Sequence, residues 1–321
     1  MQDKYIDAVV LARRSLTDRV SEFLIGAANG AALPPGEAGS HIEVRFGGAD
    51  RFLRHYSLVS PLAAAASEPY WRIAVQREDR ARGSAYIHRH FEPGARLRVS
   101  RPLNAFRLAR DQPHTLLVAG GIGITPILAM ARSLRQRNEP FSVFYAGLER
   151  SLMAYVEALD ALCDERLIVH EAKTAGIPDL KALLQAQPEG TRAYVCGPGP
   201  MIDALVAAGR ALEWDEDRVR FEVFNAAHRP DDVALEVRLK SGRVVAVGAG
   251  TTILDALEAE GVETYSDCRR GECGLCVTEV VACDGPLDHR DHFLSAEDRA
   301  AGRQMTICCS RTAGRLVELD L

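Results

Sequence analysis

Nine consecutive residues constrain this chain more than any other stretch: Cys268-Arg269-Arg270-Gly271-Glu272-Cys273-Gly274-Leu275-Cys276, followed at a distance by Cys308. The spacing C-x4-C-x2-C with a remote fourth cysteine is that of a plant-type [2Fe–2S] loop. Four thiolates must surround two irons, three of them supplied by one tight turn, and Gly271 and Gly274 let the backbone wrap and aim amide N–H groups at sulfur. Asp267 and Glu272 place negative charge nearby. A zinc site, which prefers paired C-x2-C knuckles, is the competing reading. Cys309 adjoins Cys308, and in a strand the two side chains would point to opposite faces, so only one reaches the cluster; Cys308 is favoured.

The cysteines are concentrated: of 8, six lie in the span from Cys268 to Cys309. No stretch approaches the roughly 18 apolar residues of a membrane span. The start, Met1-Gln2-Asp3-Lys4-Tyr5, lacks the basic-then-apolar pattern of a signal peptide. A cytoplasmic location is expected, where cysteines serve as metal ligands or bystanders rather than in disulfides. With 321 residues, 47% apolar and 26% charged, the chain reads as two or three ordinary globular domains. The net charge of −5 is uneven: residues 1–107 carry 16 Lys and Arg against 11 Asp and Glu, and residues 230–321 carry 10 against 17. A basic front and an acidic back can steer docking at low salt or be plain solvated surface. Nothing indicates nucleic-acid binding.

Residues 1–107 read as short strands, among them Ile42–Phe46, Tyr70–Val75 and Arg96–Val99, consistent with an antiparallel barrel or sandwich. Ala63–Ala66 is a short apolar loop candidate. From about residue 114 strands alternate with helices: strand Thr115–Ala119, helix Pro126–Arg137, strand Phe141–Tyr145, helix Leu152–Cys163, strands Leu167–Glu171 and Ala193–Cys196, and helix Met201–Ala211. That rhythm predicts a doubly wound parallel sheet. Asn225–Asp232 is a linker candidate. Beyond it, Val233–Lys240 and Val244–Gly248 flank a Ser241-Gly242 turn, and a helix over Ile253–Glu260 stops at Gly261.

Two turns of the middle region carry nucleotide chemistry. Gly120-Gly121-Ile122-Gly123-Ile124-Thr125-Pro126 joins a strand to a helix N-terminus, whose free N–H groups and positive dipole end suit a pyrophosphate. Cys196-Gly197-Pro198-Gly199-Pro200-Met201 is a second such turn at another strand end, where ligands of open α/β sheets bind. In the first region, Arg54-His55-Tyr56-Ser57-Leu58 offers an Arg for a phosphate, a ring for stacking and a hydroxyl for a ring nitrogen, with Gly83-Ser84 as a further phosphate contact. Alternation along a plain strand explains Tyr56 and Leu58 equally well. His88 and His90 read as strand or loop residues without a metal.

The order Arg-x-Tyr-Ser-Leu, Gly-Ser, Gly-Gly-x-Gly-x-Thr-Pro and Cys-Gly-Pro-x-x-Met resembles the ferredoxin–NADP reductase superfamily. With the cysteine loop at its end, and with Asp288-His289-Arg290-Asp291 and Ile307-Cys308-Cys309-Ser310-Arg311, the whole chain resembles the phthalate dioxygenase reductase family, including vanillate O-demethylase reductases. The resemblance implies a flavin-binding β-barrel domain (1–107), a nucleotide-binding α/β domain (108–228) and an α+β, β-grasp ferredoxin domain (229–321). It implies FMN rather than FAD, which no residue independently excludes, and NADH. Arg54 and Ser84 would hold the flavin phosphate, with Tyr56 and Ser57 at the isoalloxazine; Thr125 and Cys196 would flank the nicotinamide, and Phe224 would lie near the flavin ring. The family often has two glycines before the serine, whereas Arg82 precedes Gly83 here. Glu149 and Arg150, after the second strand, leave the 2′-phosphate question open, since one repels it and the other welcomes it.

The implied activity is electron transfer from NADH through FMN and the cluster to a separate Rieske-type oxygenase, by a chain acting as a monomer. Placement of cofactors is the whole task, and no side-chain acid, base or nucleophile is needed. A haem-thiolate cytochrome is the alternative acceptor; a non-catalytic redox sensor and a zinc-stabilised binding module are the readings from other classes.

Overall fold

A computed structural model describes residues 5–59, 69–78, 82–224, 229 and 231–321. The chain falls into two compact units, Met1–Glu222 and Val223–Leu321.

The first unit opens with strands β1 (Tyr5–Ser15), β2 (Val20–Ala27), β3 (His41–Phe46), β4 (Phe52–Ser57) and β5 (Tyr70–Gln76), helix α1 (Arg82–His90) and strand β6 (Arg96–Ser100). They form an antiparallel sheet of order β4-β3-β6-β1-β2-β5. Its two edge strands meet through a bridge between Leu58 and Ile73, so the sheet curls into a nearly closed barrel. Curling follows from the alternation: Phe23, Ile25, Ile42, Val44, Ile73 and Val99 turn inward and are wholly buried, and closure leaves few free edges to protect. His88 and His90 lie on α1, not on a strand or loop as their spacing suggests. Tyr86 and Ile87 anchor that helix to the barrel core while the histidines fall in its last turn.

Strand β7 (Thr115–Gly120), helix α2 (Ile124–Arg137), strand β8 (Phe141–Gly147), helix α3 (Val156–Cys163), strand β9 (Leu167–Glu171), helices α4 (Ala172–Ala175) and α5 (Leu180–Gln185), strand β10 (Arg192–Cys196), helix α6 (Gly199–Ala211) and strand β11 (Val219–Glu222) follow. All strand pairs are parallel, in the order β11-β10-β7-β8-β9. The chain runs outward from β7 through β8 and β9, then crosses back to β10 on the other side of β7. The topological switch therefore lies between β7 and β10. Helix α3 starts four residues later than the apolar pattern suggests, because Tyr155 takes a left-handed φ of 64°. That turn sends the Tyr155 hydroxyl to the buried Glu22 of β2, donating at 2.9 Å. With Arg132 of α2 donating to the Val59 carbonyl at 2.8 Å, it fastens the parallel sheet's helices to the barrel.

The second unit holds β12 (Leu235–Leu239), β13 (Val244–Val247), α7 (Ile253–Ala259), β14 (Val277–Cys283), β15 (Leu287–Asp288), α8 (Ala296–Ala301), β16 (Gln304–Thr306), β17 (Arg311–Thr312) and β18 (Leu316–Leu319). The order β13-β12-β18-β14-β16 is a mixed sheet in which β12 and β18 run parallel. The β12–β13 hairpin turns at Gly242, φ 82°, and α7 begins at Thr252, whose hydroxyl accepts the Asp255 N–H at 2.9 Å. The apolar face of α7 closes a core with Val237, Val245, Ile307, Val317 and Leu319. The candidate linker 225–232 lies largely outside the described residues, as does Ala63–Ala66. Among the described residues no helix is long and apolar enough to cross a membrane.

Candidate functional site

Between α7 and β14 the chain runs without regular structure through Cys268–Cys276. Three backbone amides point at one sulfur: the N–H groups of Arg270, Glu272 and Cys273 each donate to Cys268 Sγ at 3.4 Å. Gly271 takes φ 77° and Gly274 φ 75°. A Cβ at Gly271 would stand 2.6 Å from Cys309 Sγ and 2.8 Å from the Asp291 backbone, and one at Gly274 2.2 Å from the Phe293 ring. Both positions need glycine twice over, for conformation and for space.

Two contacts link the four thiols pairwise. Cys268 is in hydrogen-bonding contact with Cys273, and Cys276 with Cys308. Cys276 and Cys308 are buried. Four thiols in two pairs, with amides already aimed at sulfur, suit two irons, each held by a pair. Cys308 and Cys309 sit in a turn closed by the Ser310 N–H donating to the Thr306 carbonyl at 2.9 Å, not in a strand. The two differ in their partners: Cys308 contacts Cys276 as well as Cys309, while Cys309 also packs on Gly271 with its sulfur 3.2 Å from Thr306 Oγ1. Asp267 is exposed. Glu272 is largely spent on structure, accepting the Val223 N–H at 2.7 Å and facing Arg270 at 3.7 Å. Burial pushes its carboxyl above the usual range, against the pull of Arg270. Phe224 belongs to this second unit and is half-buried there.

At the C-terminal edge of the parallel sheet the two glycine turns lie against one another. β7 and β10 are hydrogen-bonded neighbours, Ala119 opposite Cys196. A Cβ at Gly120 would be 2.6 Å from Pro198 Cδ and 2.7 Å from Met201 Sδ; one at Gly123 would be 2.1 Å from the Cys196 carbonyl oxygen; one at Gly197 would be 3.0 Å from Gly120 Cα. The sequence suggested that these glycines admit a ligand, yet three of them are glycine because the turns press together. Gly121, at φ 53° with open space beside it, is free for a ligand's approach. The α2 N-terminus carries no side-chain cap, and Pro126 sits in its first turn. Thr125 is buried and donates its hydroxyl to the Ile122 carbonyl at 3.1 Å. Sequence reasoning missed Tyr145 at the end of β8, whose hydroxyl donates to the Gly121 carbonyl at 3.2 Å and steadies the turn. No motif marks it, since an aromatic residue in a buried strand is unremarkable.

On the barrel, Arg54 lies with its guanidinium against Gly83, where a Cβ would come 3.0 Å from Nε. Tyr56 packs opposite Ile42, and burial pushes its hydroxyl well above the ordinary tyrosine range while the Arg54 charge opposes that. Ser84 is buried and accepts the Glu78 N–H at 3.1 Å. Ser57 is 5% exposed, and among the described residues its hydroxyl has no hydrogen-bond partner. An orphaned buried hydroxyl is costly and marks a place prepared for a partner. Leu58 differs from its neighbours: its side chain is sunk in the core and its N–H donates to Ser40 at 2.8 Å. Arg54, Tyr56 and Gly83 are thus one constellation, beside Ser57 and Ser84.

Two family models match the chain: "Dimethylamine monooxygenase subunit DmmA-like, N-terminal domain" over residues 99–219 and "2Fe-2S iron-sulfur cluster binding domain" over residues 237–313. The solved structure of a phthalate dioxygenase reductase superposes with a TM-score of 0.79 at 30% identity, over 100% of this chain and 99% of the other. The vanillate O-demethylase oxidoreductase of Pseudomonas sp. (strain HR199) is 36% identical, over 98% of this chain and 100% of its own length. The chain belongs to the phthalate dioxygenase reductase family. It shares that family's near-closed barrel, parallel-sheet domain and C-terminal [2Fe–2S] ferredoxin domain. The heme-dependent oxidative N-demethylase beta subunit of Ectopseudomonas mendocina is also similar, 38% identical over 98% of this chain and 99% of that one. This member of the phthalate dioxygenase reductase family accordingly has relatives named for both an O-demethylase and a heme-dependent N-demethylase.

Proposed function

We propose that this chain is the reductase component of a two-component oxygenase system, carrying electrons from NADH through FMN to a [2Fe–2S] cluster and on to a separate Rieske-type non-haem iron oxygenase. The observation that supports it most is the union, in one chain, of the two-paired thiol loop with glycine turns at a sheet's switch point. When bound, a flavin exchanges electrons in twos with nicotinamide and singly with an iron–sulfur cluster.

The division of labour follows the regions 1–107, 108–228 and 229–321. Arg54, Gly83 and Ser84 hold the flavin phosphate, Tyr56 flanks the ring system, and the free Ser57 hydroxyl meets a ring nitrogen. Gly121 and the α2 N-terminus at Thr125 and Pro126 receive the pyrophosphate in a turn that Gly120 and Gly123 let close, and Thr125, Cys196, Gly197, Pro198 and Met201 border the nicotinamide. Cys268, Cys273, Cys276 and Cys308 ligate iron. The protein works as a cytoplasmic monomer that meets its oxygenase transiently. Iron, acid-labile sulfide and flavin assays on the purified protein test this directly: about two irons, two sulfides and one FMN are expected, and zinc without sulfide would refute it.

A haem acceptor is the second reading, favoured by the similarity to the heme-dependent N-demethylase subunit. Electron transfer to a haem partner, with none to Rieske oxygenases, would select it.

A further inference from the structure

Sequence alone leaves Glu149 and Arg150 pulling in opposite directions over the nucleotide's 2′ position; the structure gives each a partner. Both stand in the loop after β8, the neighbour of β7, with Ala146 opposite Gly120 at the end of the ladder. A nucleotide whose pyrophosphate rests on the β7 turn places its adenosine ribose over this loop. Arg150 is engaged elsewhere: its guanidinium donates to Asp160 of α3 at 2.5 Å and its N–H to Glu171 at 2.9 Å. Glu149 accepts the Ser151 hydroxyl at 2.9 Å and pairs with Lys173 of α4. Lys173 is held at the loop by its own N–H, which donates to the Leu148 carbonyl at 2.9 Å. Its backbone is thereby fixed to the loop that carries Glu149. Glu149 is 31% exposed along its side chain and open to a ligand.

We propose that the Glu149–Lys173 ion pair sets selectivity for NADH over NADPH: Glu149 accepts the ribose 2′-hydroxyl and keeps Lys173 from acting as a phosphate ligand. This rests on the nucleotide site proposed above. The bonded group Glu149, Asp160 and Glu171 against Arg150 and Lys173 leaves one negative charge in excess, which repels a 2′-phosphate. Removing the Glu149 charge balances the group and frees a lysine already in place. Lys173 is thus a latent NADPH ligand.

The test is kcat/KM for NADH and NADPH with ferricyanide as acceptor, on the flavin- and cluster-loaded protein at low ionic strength. Wild type, Glu149→Gln, Lys173→Ala and the double variant are compared. Wild type should favour NADH. Glu149→Gln should lower NADH efficiency about tenfold and raise NADPH efficiency about tenfold, each the worth of one charge-assisted contact. Adding Lys173→Ala should take back the NADPH gain and leave NADH where Glu149→Gln put it. An unchanged nucleotide ratio in Glu149→Gln, or an NADPH gain that survives loss of Lys173, overturns the proposal. A wild-type protein reduced by neither nucleotide would sink the nucleotide site, and the pair with it.

Discussion

Glycine 123 offers the sharpest test of how the nucleotide turns are built. A methyl group there would stand 2.1 Å from the Cys196 carbonyl oxygen, 2.4 Å from its carbon and 2.8 Å from the Gly197 nitrogen. Ordinary contact begins near 3.4 Å, so the two turns must part by about 1.3 Å. All three atoms are backbone, and no side chain can swing aside. Overpacking of this kind costs about 1–3 kcal/mol, and for a unit of this size it lowers the unfolding temperature by roughly 2–10 °C. The functional loss is larger: a misplacement of about 1 Å between reacting groups costs on the order of a hundredfold in rate. Gly123→Ala should therefore lose about two orders of magnitude in kcat/KM for NADH with ferricyanide, while cluster and flavin content stay normal. Gly199→Ala, in the second turn but with nothing within 4 Å of the new methyl, should stay within about threefold of wild type. If Gly123→Ala keeps wild-type efficiency and unfolding temperature, the two turns are not packed as described.

Other outcomes follow from the same geometry. Ser57→Ala removes an unpartnered buried hydroxyl, so the flavin-free protein should gain about 1 kcal/mol in unfolding free energy while NADH-driven flavin reduction, followed by stopped flow, slows about tenfold or more; a destabilised apoprotein would show that the hydroxyl already had a partner. Cys308→Ser should abolish or severely deplete the cluster's visible absorption, whereas Cys309→Ser should retain it; the reverse would move the fourth ligand to Cys309. Asp232, 4% exposed, takes two hydrogen bonds from Arg290, 6% exposed, and Asp232→Asn should cost about 3 kcal/mol in denaturant unfolding at pH 7. Burial pushes that carboxyl up, but the Arg290 bonds hold it below the ordinary aspartate value. The stabilisation is therefore complete above the unfolded-state pKa and fades as pH falls through the lower folded one, so wild type and variant should converge in strong acid and a difference that grows there would contradict the pairing.

What the sequence disclosed divides by range. The cysteine loop was legible because its chemistry is local: nine residues carry three ligands, two glycines and the donor amides. The glycine turns were legible as turns, but their reason was not. That Gly123 is closed by the Cys196 carbonyl depends on β7 and β10 being sheet neighbours, which no local pattern states. Glu149 and Arg150 could not be told apart because Lys173 and Asp160 lie 24 and 10 residues away. The two-residue spacing of His88 and His90 hides α1, although Arg82–His90 is amphipathic, and the helical pattern over Leu152–Cys163 begins before α3 because a left-handed Tyr155 interrupts it. The Cys308 side chain reaches Cys276 from a turn rather than a strand, so alternation along a strand does not govern where it points.

The central claim is a single path from nicotinamide through flavin to a [2Fe–2S] cluster within this chain. Anaerobic titration with NADH, followed by visible absorption and by electron paramagnetic resonance on frozen samples, tests it most directly. The account predicts bleaching of the flavin and iron–sulfur bands together and the growth of a reduced [2Fe–2S] signal approaching one spin per chain. A flavin that bleaches while the cluster stays oxidised and silent, at a potential NADH can reach, would contradict it.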